Sequence, residues 1–512
     1  MESFAQLLDS GRAGPCRPFP RAEVSAEQWT ALAGHLATGE LVLMGLWGDA
    51  GAVHPGAVHQ PGAVHMALLD EASGRLAVAT YACVGGAFPS VARHHLPAAR
   101  LERTVRDLYG LVPEGAPDHR PWLDHGRWGV RHPLGANLPA EPEGDAYSFL
   151  AAEGEGLHQI PVGPVHAGII EPGHFRFSCY GETVVRLEAR LGYVHKGIEH
   201  LMAGADPAQA ARLAGRQSGD STVAYALAFC RAVEAARGVS VPARAHALRG
   251  VMAELERLAN HLGDIGAICN DAAFALMLAH CGVLREKVLR VCARAFGHRL
   301  MMDGVIPGGV AGDLARDGIS AIRVLVSEVR AAFPALVELY DNTASLQDRT
   351  VGTGFTRPDY VRQFGAGGFV GRASGRAFDA RRALAYPPYD RLPFEVVVRT
   401  EGDVNARIWV RIREVEESLG LVVRLIDTLP DGPVATEVPP GPGEGLAVVE
   451  GFRGDVLAFV ALEADGRVRR AHLRDPSWFQ WPLLETAIEG NIVADFPLCN
   501  KSFNCSYSGV DL

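Results

Sequence analysis

Gly181–Met202, GETVVRLEARLGYVHKGIEHLM, and the run Ala205–Glu234 behind it, ADPAQAARLAGRQSGDSTVAYALAFCRAVE, decide how the chain is read. Val184, Leu187, Leu191, Val194, Ile198 and Leu201 recur at spacings of three and four, which predicts a helix with one apolar stripe. On such a helix His195 and Glu199 stand four apart, on one edge, and form a hydrogen-bonded pair. The second run places Arg212, Ala214, Gly215, Gln217 and Ser221 in a short frame.

Composition narrows the function classes. At 512 residues the chain is expected to hold two or three domains. Hydrophobic residues make up 48% and charged ones 21%, an ordinary globular balance, and the net charge of -10 argues against a nucleic-acid partner. The nine cysteines lack paired spacing and read as reduced thiols of a cytoplasmic protein. MESFAQLLDSGRAG has no secretory pattern, and no apolar run approaches the ~18 residues of a membrane span, so membrane association is expected only through partner subunits.

Residues 1–145 read as a small α/β domain, 146–157 as a linker rich in Pro, Gly and acid, and 158–512 as a large, mainly helical domain with peripheral β hairpins. The fold class is α+β. Leu41–Met44, Met66–Leu69 and Leu76–Thr80 are short β-like runs. Between the first two begins GAVHPGAVHQPGAVH, whose His54, His59 and His65 read either as an exposed low-complexity loop or as metal ligands without a rigid frame. Arg244–Cys269 predicts a helix with Leu248, Leu255, Leu258, Leu262 and Ile265 facing a core and Glu254, Arg257, His261 and Asp264 on a polar edge. Ala272–Met302 and Ile319–Leu346 are further long helices, the latter carrying Pro334, which is expected to kink it. Another helix follows Asp403, a reasonable N-cap, and Leu446–Leu473 alternates as three strands. Gly365–Asp379 has five glycines but no G-x-G-x-x-G spacing and no βαβ setting, which argues against a dinucleotide site in the chain itself.

Several motifs in one order resemble the large subunits of NiFe hydrogenases, above all the energy-converting, formate-hydrogenlyase and hydrogenase-4 type, and the related large core component of complex I, NADH:quinone oxidoreductase. They are GPVH at 163–166, GHFRF at 173–177, GYVHKGIE, the Arg212-to-Ser221 frame, EGDVNAR, EGFRG at 450–454 and the tail NKSFNCSYSGVDL. Glu102, Arg103, Asp107, Tyr109, Gly110 and Arg120-Pro121 resemble the small α/β C component of complex I, whose implied role is packing and assembly. In hydrogenases the frame reads Arg-x-Cys-Gly-x-Cys with a His four residues on, and the tail Ser-x-Asp-Pro-Cys-x-x-Cys. Here Ala214, Gln217, Ser506 and Gly509 stand at the thiolate positions and Ser221 at the imidazole. A NiFe centre needs soft sulfur ligands, so the resemblance predicts a degenerate site with no metal and no cofactor in this chain. The tail stops at Leu512, where hydrogenases place a last His and a cleavable extension.

The resemblance implies an oxidoreductase subunit on the inner face of the cell membrane. Its expected partners are an Fe–S-cluster small subunit, membrane-embedded antiporter-like and anchor subunits, and a quinone. Quinone and NAD binding enter as attributes of the complex. His166 and His174 are the implied donors near an acceptor, or else hairpin histidines satisfied by backbone. His195 and Glu199 are the implied proton relay, with Arg212 as another possible partner of Glu199, and Arg453 the arginine over the site. The alternative is a redox-inactive coupling subunit whose vacated cavity is filled by side chains; an open polar pocket would favour the first reading, a collapsed apolar one the second.

Overall fold

The computed structural model describes residues 4, 6, 10–51, 62–135, 138–139, 147–168 and 170–512. Near the N-terminus, Val42–Asp49, Ala63–Asp70 and Arg75–Ala82 form an antiparallel meander completed by Arg21–Glu23 and Arg12–Gly14. These strands are the three β runs read from the sequence, extended at their ends. Helices Ala26–Thr38 and Ala99–Tyr109 accompany the sheet, the first held by a Ser25 capping box. The residues resembling a complex I component tie loops down. Glu102 accepts from the Val91 and Ala92 amides and Ser90, Arg103 reaches Asp118 and the Arg120 and Pro121 carbonyls, and Asp107 caps the Trp122 and Leu123 amides. Of the histidine repeat, His54 and His59 lie outside the described residues. His65 is not in an exposed loop: it lies in the strand Ala63–Asp70, buried against Thr80.

Strand replaces the helix expected after Gly181. Thr183–Arg190 pairs with His174–Tyr180, which in turn pairs with Leu157–Val162. Helix begins only at Ile198–Met202, after Gly192 turns the chain with φ 95. The apolar spacing of three and four was produced by a strand with one inward face followed by an unrelated turn. The hairpin partner settles the ambiguity, because GHFRF supplies a complementary edge.

The long helices appear nearly as expected: Ala243–Asp271, Ala275–Phe296, Arg316–Asn342 with Pro334 inside it, and Val404–Asp427, whose N-cap Asp403 accepts from the Ala406 amide. Ala243–Asp271 packs between Ala275–Phe296 and Val404–Asp427. Its polar edge is interior, for Glu254, Arg257, His261 and Asp264 are all buried. The strands Gly443–Glu450, Asp455–Leu462 and Val468–Arg474 form an antiparallel sheet, joined in parallel by Cys16–Arg17 from the N-terminus. Among the described residues, no helix is long and apolar enough to cross a membrane.

Candidate functional site

The folded chain brings the frame and the tail together. Ser218, just after Gln217, hydrogen-bonds Ser506 at 3.0 Å, and Gln217 donates to the Ser508 carbonyl at 2.6 Å. Ser506 Oγ also accepts from the Gly509 amide at 2.9 Å, while the Ser506 amide donates to Ser477. Ala214 is fully buried. A side chain at 509 has no room: its Cβ would stand 2.7 Å from Asp475 Cγ, and Asp475 is fixed by Tyr225 Oη at 2.6 Å and the Ser477 amide at 2.8 Å.

The resemblance to NiFe hydrogenases implies a NiFe group at this place. One methyl, one carboxamide, one hydroxyl and one hydrogen atom supply no thiolate, and the hydroxyl and carboxamide are engaged with each other's neighbours. The residues present do not fit that group. Among the described residues no three His, Cys, Asp or Glu side chains are grouped to hold a metal ion.

Arg453, of the EGFRG turn, lies at the edge of this cluster. Its guanidinium grips Asp220 in two bonds of 2.7 and 2.5 Å and reaches Ser221 and the Asn504 carbonyl. Although burial pushes the Asp220 carboxyl up, Arg453 outweighs it and holds the group at about 2. Asn504 continues the chain of contacts to Asp264, which Arg411 binds at 3.2 Å.

From there a buried polar column runs between the two long helices. Ten residues separate Asp264 from Glu254, about 15 Å of helix rise. His261 Nε2 meets Glu414 at 2.7 Å; Arg372 bridges Glu414 and Glu450, each at 2.8 Å; Glu254 receives Arg381, Tyr389 and Ser418. Burial alone would raise Glu414, but Arg372 and His261 hold it well below the usual carboxylate range. Glu450 goes the other way, to about 7, through burial and the neighbouring Asp379. The glycine-rich segment makes this geometry possible. Gly368 adopts φ +64, and a Cβ there would overlap the Arg453 carbonyl, so Arg372 is carried inward on the short helix Gly368–Ala373.

Glu199 is buried, and its partners differ from those the sequence suggested. His195 does not pair with it: His195 Nδ1 donates to the Asp511 carbonyl at 2.6 Å and its ring stacks on Trp128. Glu199 instead accepts from His472 Nδ1 at 2.8 Å and the Leu473 amide at 3.0 Å, and pairs with Arg470 at 2.9 Å. Arg212 is no partner either. Burial pushes Glu199 up, yet Arg470 and His472 bring it down to about 2. Sequence reading missed Arg470 and His472, although a signal existed: in RVRRAHLRD, Arg470, His472 and Arg474 alternate, and in a strand that puts three polar residues on one face.

Of the hairpin histidines, His166 lies in the loop between Leu157–Val162 and His174–Tyr180, and His174 opens the second of these strands. His166 Nδ1 donates to the Pro164 carbonyl at 3.2 Å and its Nε2 meets Tyr507 Oη at 3.3 Å; His174 Nδ1 donates to the Gly163 carbonyl at 3.3 Å. Burial lowers the pKa of His174. Tyr507 thus joins the hairpin to the tail that carries Ser506 and Gly509.

Comparison with known proteins defines the class. Residues 271–442 and 435–512 match the family described as respiratory-chain NADH dehydrogenase, 49 Kd subunit. Residues 22–143 match the 30 Kd subunit of the same enzyme, and 196–263 match nickel-dependent hydrogenase. The chain belongs to the superfamily of complex I and NiFe-hydrogenase large subunits, with a complex I 30 Kd-like segment ahead of it. Formate hydrogenlyase subunit 5 of Escherichia coli (strain K12) is 32% identical over 83% of this chain and 77% of its own length. The C/D polypeptide of an NADH-quinone oxidoreductase from Bacteroides thetaiotaomicron is 29% identical over 80% of this chain and 82% of its own. Among solved structures, a polypeptide of the membrane-bound sulfane sulfur reductase, an archaeal respiratory membrane complex, matches with TM-score 0.66 and 26% identity, over 70% of this chain and 99% of that one.

Proposed function

We propose that this chain is the large subunit of a membrane-associated oxidoreductase complex in which the nickel–iron centre has been lost. A partner protein with an Fe–S cluster delivers electrons to a quinone-like acceptor held at the interface, and membrane subunits couple the reaction to ion movement. The observation that carries this reading is the contact of His166 with Tyr507. It sets the hairpin against the tail whose Ser506 and Gly509 stand at former thiolate positions, so an acceptor bound beside the hairpin faces the degenerate site. With the Nδ1–H of each ring committed to a backbone carbonyl, His166 and His174 donate to the reduced acceptor as imidazolium, through Nε2. Arg453, fixed by Asp220, holds positive charge beside it. Glu199 keeps its charge in the pair with His472 and Arg470, and any proton passing that way is exchanged at the imidazole.

The redox-inactive reading is favoured by one feature. The ligand positions are occupied by side chains and backbone hydrogen-bonded to one another, although the filling is polar rather than apolar. Purifying the native complex and measuring nickel content together with quinone, ferredoxin and NADH turnover separates the two. Acceptor reduction without stoichiometric nickel supports the first reading. Absence of all turnover in an assembled complex supports the second, and one equivalent of tightly bound nickel overturns both.

A further inference from the structure

Between the N-terminal segment and the large helical part lies a cavity of about 210 Å³, whose lining includes neither hairpin histidine. Leu108, Trp128, Val130, Pro133 and Leu134 form one wall; His195, Gly197, Glu199, His200 and Leu512 form the other. Of its lining, the function proposed above uses only Glu199. An engineered apolar cavity of roughly 150 Å³ holds a benzene molecule, so this one is large enough for a pair of fused rings. Its wall offers a flat aromatic surface, for the Trp128 ring stacks on His195 with centroids 4.7 Å apart and planes inclined by 30°.

The wall also carries one directed polar group. His195 Nδ1 must bear the proton, since it donates to the Asp511 carbonyl at 2.6 Å. The other nitrogen, Nε2, then presents a lone pair, and among the described residues it has no hydrogen-bond partner. Burial lowers the pKa of the ring, which keeps it neutral and accepting at neutral pH. The loop is held in place by the Leu512 carbonyl, which accepts from the Lys196 and Gly197 amides at 3.1 Å each. Glu199, the one side-chain carboxylate in the lining, is neutralised by Arg470 and does not call for a cationic guest.

We infer that this cavity is a binding site for a small, flat, uncharged aromatic molecule bearing a single hydroxyl donor, which stacks at Trp128 and donates to His195 Nε2. Because its walls come from both parts of the chain, such a ligand bridges them.

The full-length chain is tested with 2-naphthol and with 2-methoxynaphthalene, which keeps the rings and lacks the donor. Binding is read by calorimetry and by the fluorine resonance of 5-fluorotryptophan at position 128, assigned with Trp128→Phe. One equivalent of 2-naphthol is expected to bind and shift that resonance, with 2-methoxynaphthalene at least tenfold weaker. Leu134→Trp, which fills the cavity, should abolish both; Val130→Trp, at a position already partly exposed, gives the same test where the first variant does not fold. Equal affinity for the two probes, naphthol binding that survives both filling substitutions, or no binding by the unaltered chain would each overturn the inference.

Discussion

Glu199→Gln is the sharpest test of the buried charge cluster beside Val468–Arg474. The carboxylate is 3% exposed and accepts from His472 and Leu473 while facing Arg470. A carboxamide oxygen can keep the first two bonds, but its NH2 group then meets the Arg470 guanidinium, donor against donor, with an unpaired buried cation left behind. The depression from 4.5 to about 2 corresponds, at about 1.4 kcal/mol per pH unit, to about 3 kcal/mol of interaction. Because the folded-state pKa is lowered, this stabilisation is complete above pH ~4.5 and is lost as pH falls toward 2. Native-state hydrogen exchange over Val468–Arg474 reads it directly, since the Leu473 amide bonds the carboxylate itself. About 3 kcal/mol is roughly a hundredfold faster exchange in the variant at pH 7, at about 1.4 kcal/mol per tenfold. The difference from the unaltered protein should stay level between pH 5 and 8. A change below fivefold at pH 7, or a gap that widens on acidification, would refute the ion-pair account.

Three further outcomes follow from the geometry. Gly368→Ala places a Cβ on the Arg453 carbonyl at a left-handed φ, so it should cost about 3 kcal/mol or more and reduce the yield of folded chain, measured by thermal unfolding and recovery after purification. Glu256 is buried and raised to about 8 by desolvation, against its bonds to the Val223 and Ala224 amides. Its folded-state pKa lies above the unfolded value, so stability falls as pH rises from ~4.5 through 8; Glu256→Gln, a mimic of the neutral form, should flatten that slope in denaturant titrations. Arg249 holds Glu234 in two bonds of 3.0 and 2.6 Å within the core. Arg249→Met alone should destabilise by about 3–5 kcal/mol, while pairing it with Glu234→Leu should restore most of the loss, as denaturant midpoints will show.

The sequence by itself determined the parts whose signals are local. The helices around Leu248–Ile265 and after Asp403 follow from periodicity and an N-cap, and the strands of Leu446–Leu473 from alternation broken by turns. The order of motifs identified the superfamily, and the residues at 214, 217, 506 and 509 could be read as non-thiolate from their letters alone. Only the tertiary structure decided what those residues touch. Thr183–Arg190 became a strand because a hairpin partner was available, a contact that no helical spacing count contains. Glu199 found Arg470 and His472 across more than 270 positions of sequence, and its nearest sequence candidate, His195, turned to a backbone carbonyl instead. The polar edge of Ala243–Asp271 was interior because a second helix brought Arg411 and Glu414, and a glycine-rich segment Arg372, to neutralise it. A charged residue's burial is set by the partner that compensates its desolvation, and that partner is chosen by the fold.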